Sequence, residues 1–142
     1  MANSIPYQLN KRKTTFTECP SDFLLPESIN VTVITNAILT PDPVNSNETF
    51  TVTGSVPIFF NMTGDELFSL SFHDSNRNFI EGGGGFTNIC NPDCPTNQYQ
   101  VNYTTNAPPN LPSNYSIQLD ISGDKGPFKV DKACGVAFSL PS

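Results

Sequence analysis

Polarity alternates with a period of two along most of the chain, and no helical period persists. Ile29, Val31 and Val33 alternate with Asn30, Thr32 and Ile34; Phe50 and Val52 with Thr49, Thr51 and Thr53. Phe68, Leu70 and Phe72 flank Ser69 and Ser71, and Tyr99, Val101 and Tyr103 flank Gln100 and Asn102. Tyr115, Ile117, Leu119 and Ile121 alternate with Ser116, Gln118, Asp120 and Ser122, and Val136, Phe138 and Leu140 with Ala137 and Ser139. Each run reads as a strand with one apolar and one polar face, as in half-buried antiparallel sheets.

Turn chemistry separates the runs: Pro41-Asp42-Pro43, Asn61 to Asp65, Gly82 to Gly85, Pro108-Pro109-Asn110, and Gly123 to Gly126. Thirteen Pro and nine Gly leave little room for helices. Six or seven short strands at this spacing predict an all-β, immunoglobulin-like sandwich of two antiparallel sheets, with a closed barrel as the weaker alternative. The length suits a single domain, with residues 1–15 as an N-terminal tail and 16–142 as the folded unit.

Composition narrows the setting. Charged residues make up only 14% of the chain and its net charge is −6, which argues against a nucleic-acid partner. Five sequons, at Asn30, Asn47, Asn61, Asn102 and Asn114, exceed what chance supplies in so short a chain and point to an extracellular glycoprotein. The four cysteines Cys19, Cys90, Cys94 and Cys134 read as disulfides of an oxidising compartment, secreted or in the endolysosomal or vacuolar lumen. The tight Cys90-Asn91-Pro92-Asp93-Cys94 loop favours a local bridge, leaving Cys19 for Cys134; sequence alone permits three connectivities. No apolar run is long enough to span a membrane, and none near the start serves as a signal peptide. The basic cluster Lys11-Arg12-Lys13 reads as a solvated tail.

Catalytic and metal signatures are weak. His73 is the single histidine and no nucleophile elbow accompanies it, so it reads as a polar strand-end residue. The cysteines serve better as disulfides than as zinc ligands. Asp120 and Asp124, near Gly123 and Gly126, lack calcium-loop spacing. The Gly82–Gly85 run is not followed by a phosphate-loop helix signature, and reads either as a mobile lid or as a slack surface loop. No enzymatic activity, metal or cofactor is expected.

In order and spacing, four pieces of the chain resemble the ML lipid-recognition family, whose members include the Niemann–Pick type C sterol carrier and fungal phosphatidylglycerol/phosphatidylinositol transfer proteins. They are Cys19 ahead of the strands; Leu39-Thr40-Pro41-Asp42-Pro43 followed by Phe50-Thr51-Val52-Thr53-Gly54; the Cys90–Cys94 hairpin; and Leu111-Pro112-Ser113-Asn114-Tyr115-Ser116-Ile117 leading to Cys134. The likeness runs from about Phe16 to Leu140 but lacks the third, early disulfide of the sterol carrier.

The resemblance implies the Cys19–Cys134 and Cys90–Cys94 pairings and sheets splayed around an apolar slot. Its lining would come from Phe68, Leu70, Phe72, Val101, Tyr103, Tyr115, Ile117, Leu119 and Phe138, with Leu111, Tyr115 and Phe79 or Phe86 at the mouth. The expected function is a secreted, monomeric lipid-binding or transfer protein that takes a phospholipid, fatty acid or sterol and touches membranes transiently. The rival reading is an extracellular interaction or adhesion domain with a solid core, which periodicity alone favours.

Overall fold

A computed structural model describes residues 14–139; most of the 1–15 tail, the Lys11–Lys13 cluster and Leu140 lie outside the described residues. A short 3-10 turn, Ser21–Phe23, precedes eight strands. These are β1 (Thr32–Val33), β2 (Ala37–Thr40), β3 (Thr49–Pro57), β4 (Leu67–Asp74), β5 (Gly85–Asn88), β6 (Gln98–Asn106), β7 (Tyr115–Lys125) and β8 (Phe128–Phe138). They form one sheet in the order β1-β8-β7-β4-β5 and a second in the order β2-β3-β6. All neighbours are antiparallel except β1, which runs parallel to β8. The small sheet corresponds to strands A, B and E of an immunoglobulin sandwich and β4, β7 and β8 to C, F and G, with β5 as an added edge beside C.

The inner face of the large sheet is set by register. Phe68, Leu70 and Phe72 of β4 lie directly opposite Ile121, Leu119 and Ile117 of β7. Against them the small sheet turns Leu39, Phe50, Val52, Val56 and Val101. Phe50 meets Phe72 edge-on across the layers at 5.8 Å, an arrangement that ring quadrupoles favour. Val52, Val56, Phe68, Phe72, Leu119 and Ile121 are all 0% exposed, so no space large enough for water adjoins them. The slot expected between the sheets is therefore filled by interlocking side chains in this structure, as in a close-packed core.

The first and last strands differ from the expected pattern. In β8 the inward row is Ala133, Gly135 and Ala137, opposite Ile121, Leu119 and Ile117; Cys134, Val136 and Phe138 point outward. The outward row is covered by the chain after Thr17, whose backbone pairs with Val136. The Cys19–Cys134 bridge, spanning 115 residues, fixes that cover and contributes about 4–5 kcal/mol in the chain-entropy model. Phe23, Leu24 and Val31 complete a small apolar cluster there. Ile34, rather than Val33 or Ile29, is the buried residue near β1. It docks over Gly135, where a side chain would meet the Ile34 carbonyl at 2.1 Å.

The Gly82–Gly85 run is neither lid nor slack loop. The Gly84 N–H donates to the Asn106 carbonyl (3.0 Å), and the Thr105 hydroxyl donates to the Gly84 carbonyl (2.8 Å), joining the run to the end of β6. Added side chains at Gly83, Gly84 and Gly85 would approach Pro108, the Leu70 carbonyl and the Tyr103 hydroxyl to 2.4, 2.2 and 2.3 Å. Glycine is present for close approach, and Gly84 also holds φ +77°, which L side chains rarely adopt. Gly84→Ala should therefore lower unfolding free energy by about 2 kcal/mol or more in denaturant melts, where a slack loop would show no change.

Candidate functional site

The starts of β7 and the ends of β4, β6 and β8 gather at one end of the sandwich, called here the upper end. There Tyr115 projects from the first position of β7 on the inward side and packs against Phe72 at 6.2 Å. Burial, and secondarily the nearby Asp42 carboxylate, push its phenol pKa up. The Leu111 N–H donates to the Ser46 hydroxyl (3.0 Å), and Leu111, Tyr115 and Ile80 each pack partly buried against the core. Outside Tyr115 lies a groove of about 410 Å³ lined by Asp74, Ser75, Arg77, Asn114, Tyr115, Ser116, Phe138 and Ser139. Tyr115 thus has the apolar interlayer on one side and an open groove on the other.

The remaining residues of the expected slot divide into two sets. Phe68, Leu70, Phe72, Val101, Ile117 and Leu119 come together between the sheets, and Tyr103 borders them, its ring 5.8 Å from Phe68. Phe79, Phe86 and Phe138 do not join them: they are 58, 68 and 45% exposed. Phe86 lies opposite Ser69, Phe79 opposite His73 and Phe138 opposite Ser116, all on the outward face of the large sheet. The cause is period two: each partner alternates with an inward residue. Tyr99, which stacks on Phe68 at 6.0 Å, belongs with the inner set and could have been found by its alternation with Val101.

The outward residues make an aromatic cluster of their own. Phe23 stacks edge-on against His73 (5.5 Å) and Phe138 (5.9 Å), and Phe79 against His73 (6.2 Å). The Arg77 guanidinium lies 4.8 Å from the Phe23 ring centre and is paired with Asp22. His73 Nε2 shares a hydrogen bond with the Ser71 hydroxyl (3.0 Å), while Nδ1 is buried without a partner. Burial lowers the His73 pKa, so the ring is neutral at physiological pH. The strand-end position expected for His73 holds.

Two buried sites of ionisable groups that sequence spacing did not reveal support the large sheet. At the lower end the register of β8 skips one residue opposite Ile121 and Ser122, and the extra residue is Lys132. Such a bulge re-aims its side chain, here onto Glu66, a buried ion pair. Glu66 also accepts the Thr63 and Gly64 N–H groups (2.9 Å each). Burial raises the Glu66 pKa, but Lys132 and those donors outweigh it and leave the group at about 2. Glu66, Cys90 and Cys94 lie close together, yet the two sulfurs are bonded to each other and offer no thiolate.

The second site is a carboxyl pair, Asp120 and Asp131, beneath the covering segment. Asp131 accepts the Leu25 N–H (2.8 Å) and its own N–H donates to the Ser28 hydroxyl (2.8 Å). Burial first, then the hydrogen bond and negative charge of Asp131, raise the Asp120 pKa well above the carboxylate range. Asp124 pairs with Lys129 across the hairpin at 2.8 Å.

All five sequon asparagines are exposed. The Cys19–Cys134 and Cys90–Cys94 bridges both form, consistent with an extracellular or lumenal location. Among the described residues no helix is long and apolar enough to cross a membrane. Fold and disulfides thus define a bridged all-β sandwich of two sheets. No family model matches the chain and no curated protein is similar to it, so the likeness to the ML family rests on the residues that carry it.

The carboxyl pair sets a pH dependence. A carboxyl raised in the folded state stabilises it fully below the unfolded value and progressively less as pH rises toward the folded value. Glu66, depressed, works oppositely: its contribution is present above about 4.5 and is lost as pH falls toward about 2. The melting temperature should fall from neutral toward alkaline pH; below about 6.5 the buried His73 works against that trend, because its lowered pKa costs stability as pH falls. Asp120→Asn should flatten the alkaline limb, as thermal melts across pH would show.

Proposed function

We propose that the domain is a secreted or lumenal lipid-binding protein that shelters the apolar part of a phospholipid, fatty acid or sterol between its sheets. The observation that carries this reading is the position of Tyr115, with the groove of about 410 Å³ outside it and Phe72 behind it. The inner rows beyond are apolar on both sheets, so parting them breaks packing contacts, with the Gly84–Asn106 and Thr105–Gly84 hydrogen bonds at one edge. Each buried methylene contributes roughly 0.8 kcal/mol, which an acyl chain can set against the contacts it displaces. An aromatic body with a hydroxyl tip suits the boundary between that interior and water. The head group stays at the groove. The domain performs no chemistry.

The bridges agree with the pairing that the family likeness implies, and the five exposed sequons suit a glycoprotein. Because the interior is filled, loading requires the sheets to separate. A second reading draws on the same filled core and on the exposed Phe79, Phe86 and Phe138: an interaction domain that recognises another protein through its outward aromatic face.

Extraction of the purified protein into organic solvent followed by mass spectrometry separates the two. Lipid recovered near one per chain supports the first reading, and its absence from protein made in a lipid-rich secretory host supports the second. Tyr115→Asp and Leu111→Asp should remain folded in thermal melts yet lose at least tenfold in fluorescent-lipid binding, because a charge would stand where the apolar chain passes. Undiminished binding by well-folded variants would place the entrance elsewhere.

A further inference from the structure

Among the described residues four strands lie at sheet edges, and three of them are short: β1 has two residues, β2 and β5 four each. The fourth, β6, has nine. Its ladder to β3 runs without a bulge from Gln98 opposite Pro57 to Asn106 opposite Thr49. Long edges are ordinarily blunted by charge, proline or a bulge, since their free N–H and C=O groups template pairing with another chain. β6 has none of these, and no charged residue occurs between Asp93 and Asp120.

The ladder shows which groups are free. Ala107 donates to the Glu48 carbonyl and Ile58 to the Asn97 carbonyl, so the odd-numbered residues of β6 are those hydrogen-bonded to β3. The backbone groups of Gln98, Gln100, Asn102, Thr104 and Asn106 consequently point to the open edge. Of these, the Asn106 carbonyl already accepts the Gly84 N–H. All five residues are exposed on the outward face of the small sheet.

We propose that β6 pairs antiparallel with β6 of a second copy of this chain, and that an N-linked glycan on Asn102 decides whether it does. Asn102 is the central residue of β6, so a two-fold axis through it makes the edge self-complementary, as a closed dimer requires. Asn102 then faces Asn102 of the second copy, and Gln100 faces Thr104. These are the residues whose backbone groups are free, and each pair can exchange two hydrogen bonds. On the inward side Val101 meets Tyr103 of the second copy, an aromatic and β-branched pair that sheets favour. The outward contacts are amide to amide or amide to hydroxyl, without like-charge repulsion.

The same axis makes Asn102 the place where modification acts. It begins the sequon Asn102-Tyr103-Thr104, and directly opposed residues of a hydrogen-bonded pair lie about 5.5 Å apart at Cα. Two glycans rooted at that spacing on one face would exclude each other. The glycosylated chain is then the monomer, with sugar doing at this edge what charge does at others.

The test compares chain secreted by a glycosylating host, its Asn102 occupancy established by mass spectrometry, with unmodified chain from bacterial periplasm, where the disulfides form. Sedimentation equilibrium at matched high concentration should give twice the chain mass for the unmodified protein and a single polypeptide with its sugars for the glycosylated one. Unmodified Asn102→Lys, placing two like charges at the axis, should be folded and monomeric. Amide exchange at Gln100, Asn102 and Thr104 should slow at least tenfold in the dimer and not in that variant. An unmodified wild type that stays monomeric, a lysine variant that still dimerises, or a chain glycosylated at Asn102 that dimerises would each overturn the proposal. Failure of the secretory host to occupy Asn102 would overturn the glycan's part in it.

Discussion

The direction in which Cys134 points governs more of this molecule than any other single constraint. To reach Cys19 its sulfur must leave the outward face of β8, and the period of two then sends Val136 and Phe138 outward with it. The inward row of β8 is left with Ala133, Gly135 and Ala137, small enough for Ile34 and its backbone to pack close to the strand. The segment tethered by Cys19 covers what would otherwise be a solvated sheet face. Under it lie the carboxyl pair of Asp120 and Asp131 and the amide of Gln118, which donates to the Phe23 carbonyl at 3.1 Å. Burial of such polar groups is tolerable because each finds a partner there.

The two faces of the large sheet therefore carry different physics. The inner face is apolar throughout and depends on shape, with Phe50 and Phe72 interlocking across the layers. The outer face mixes aromatic rings, a neutral histidine, a guanidinium and carboxyls held by hydrogen bonds. A ligand sheltered inside would displace apolar packing, whereas a protein partner on the outside would meet rings and charges already engaged with one another. The small sheet is different again, bearing threonine, glutamine and asparagine outward with no charge at all. Hydroxyl and amide side chains there bond across the ladder, as Thr51 does with Thr104 at 2.8 Å.

Much of the fold was legible in the order of residues. Alternation in the stretches that became β3, β4, β6 and β7 identified the strands, their inward rows and the sandwich class, because one buried face imposes period two directly on composition. The even cysteine count and the five-residue hairpin pointed to the observed pairing. Tyr115 stands at one end of the sandwich, as its place after a proline-rich turn implied. The outward positions of Phe79, Phe86 and Phe138 were not legible. An apolar row in a strand shows that a face is covered, but not whether the other sheet or a tethered segment covers it.

Local sequence thus determined the strands, the turns, the oxidising chemistry of the cysteines and the exposed sequons, since each depends on near neighbours or on residue type. Tertiary structure alone decided the rest. The bulge at Lys132 brings it to Glu66, sixty-six positions away in the chain. Asp120 and Asp131 share one face only through the β7–β8 ladder. The four glycines, which by themselves imply freedom, are held by Pro109, Pro108, Leu70 and Tyr103 from other parts of the chain. Whether the interlayer is filled or hollow also depends on how two separately specified inner faces meet, and around Val52, Phe68, Phe72 and Leu119 they leave no room for water. Contacts between distant residues depend on register and on the distance between sheets, and neither quantity is written in any short stretch of sequence.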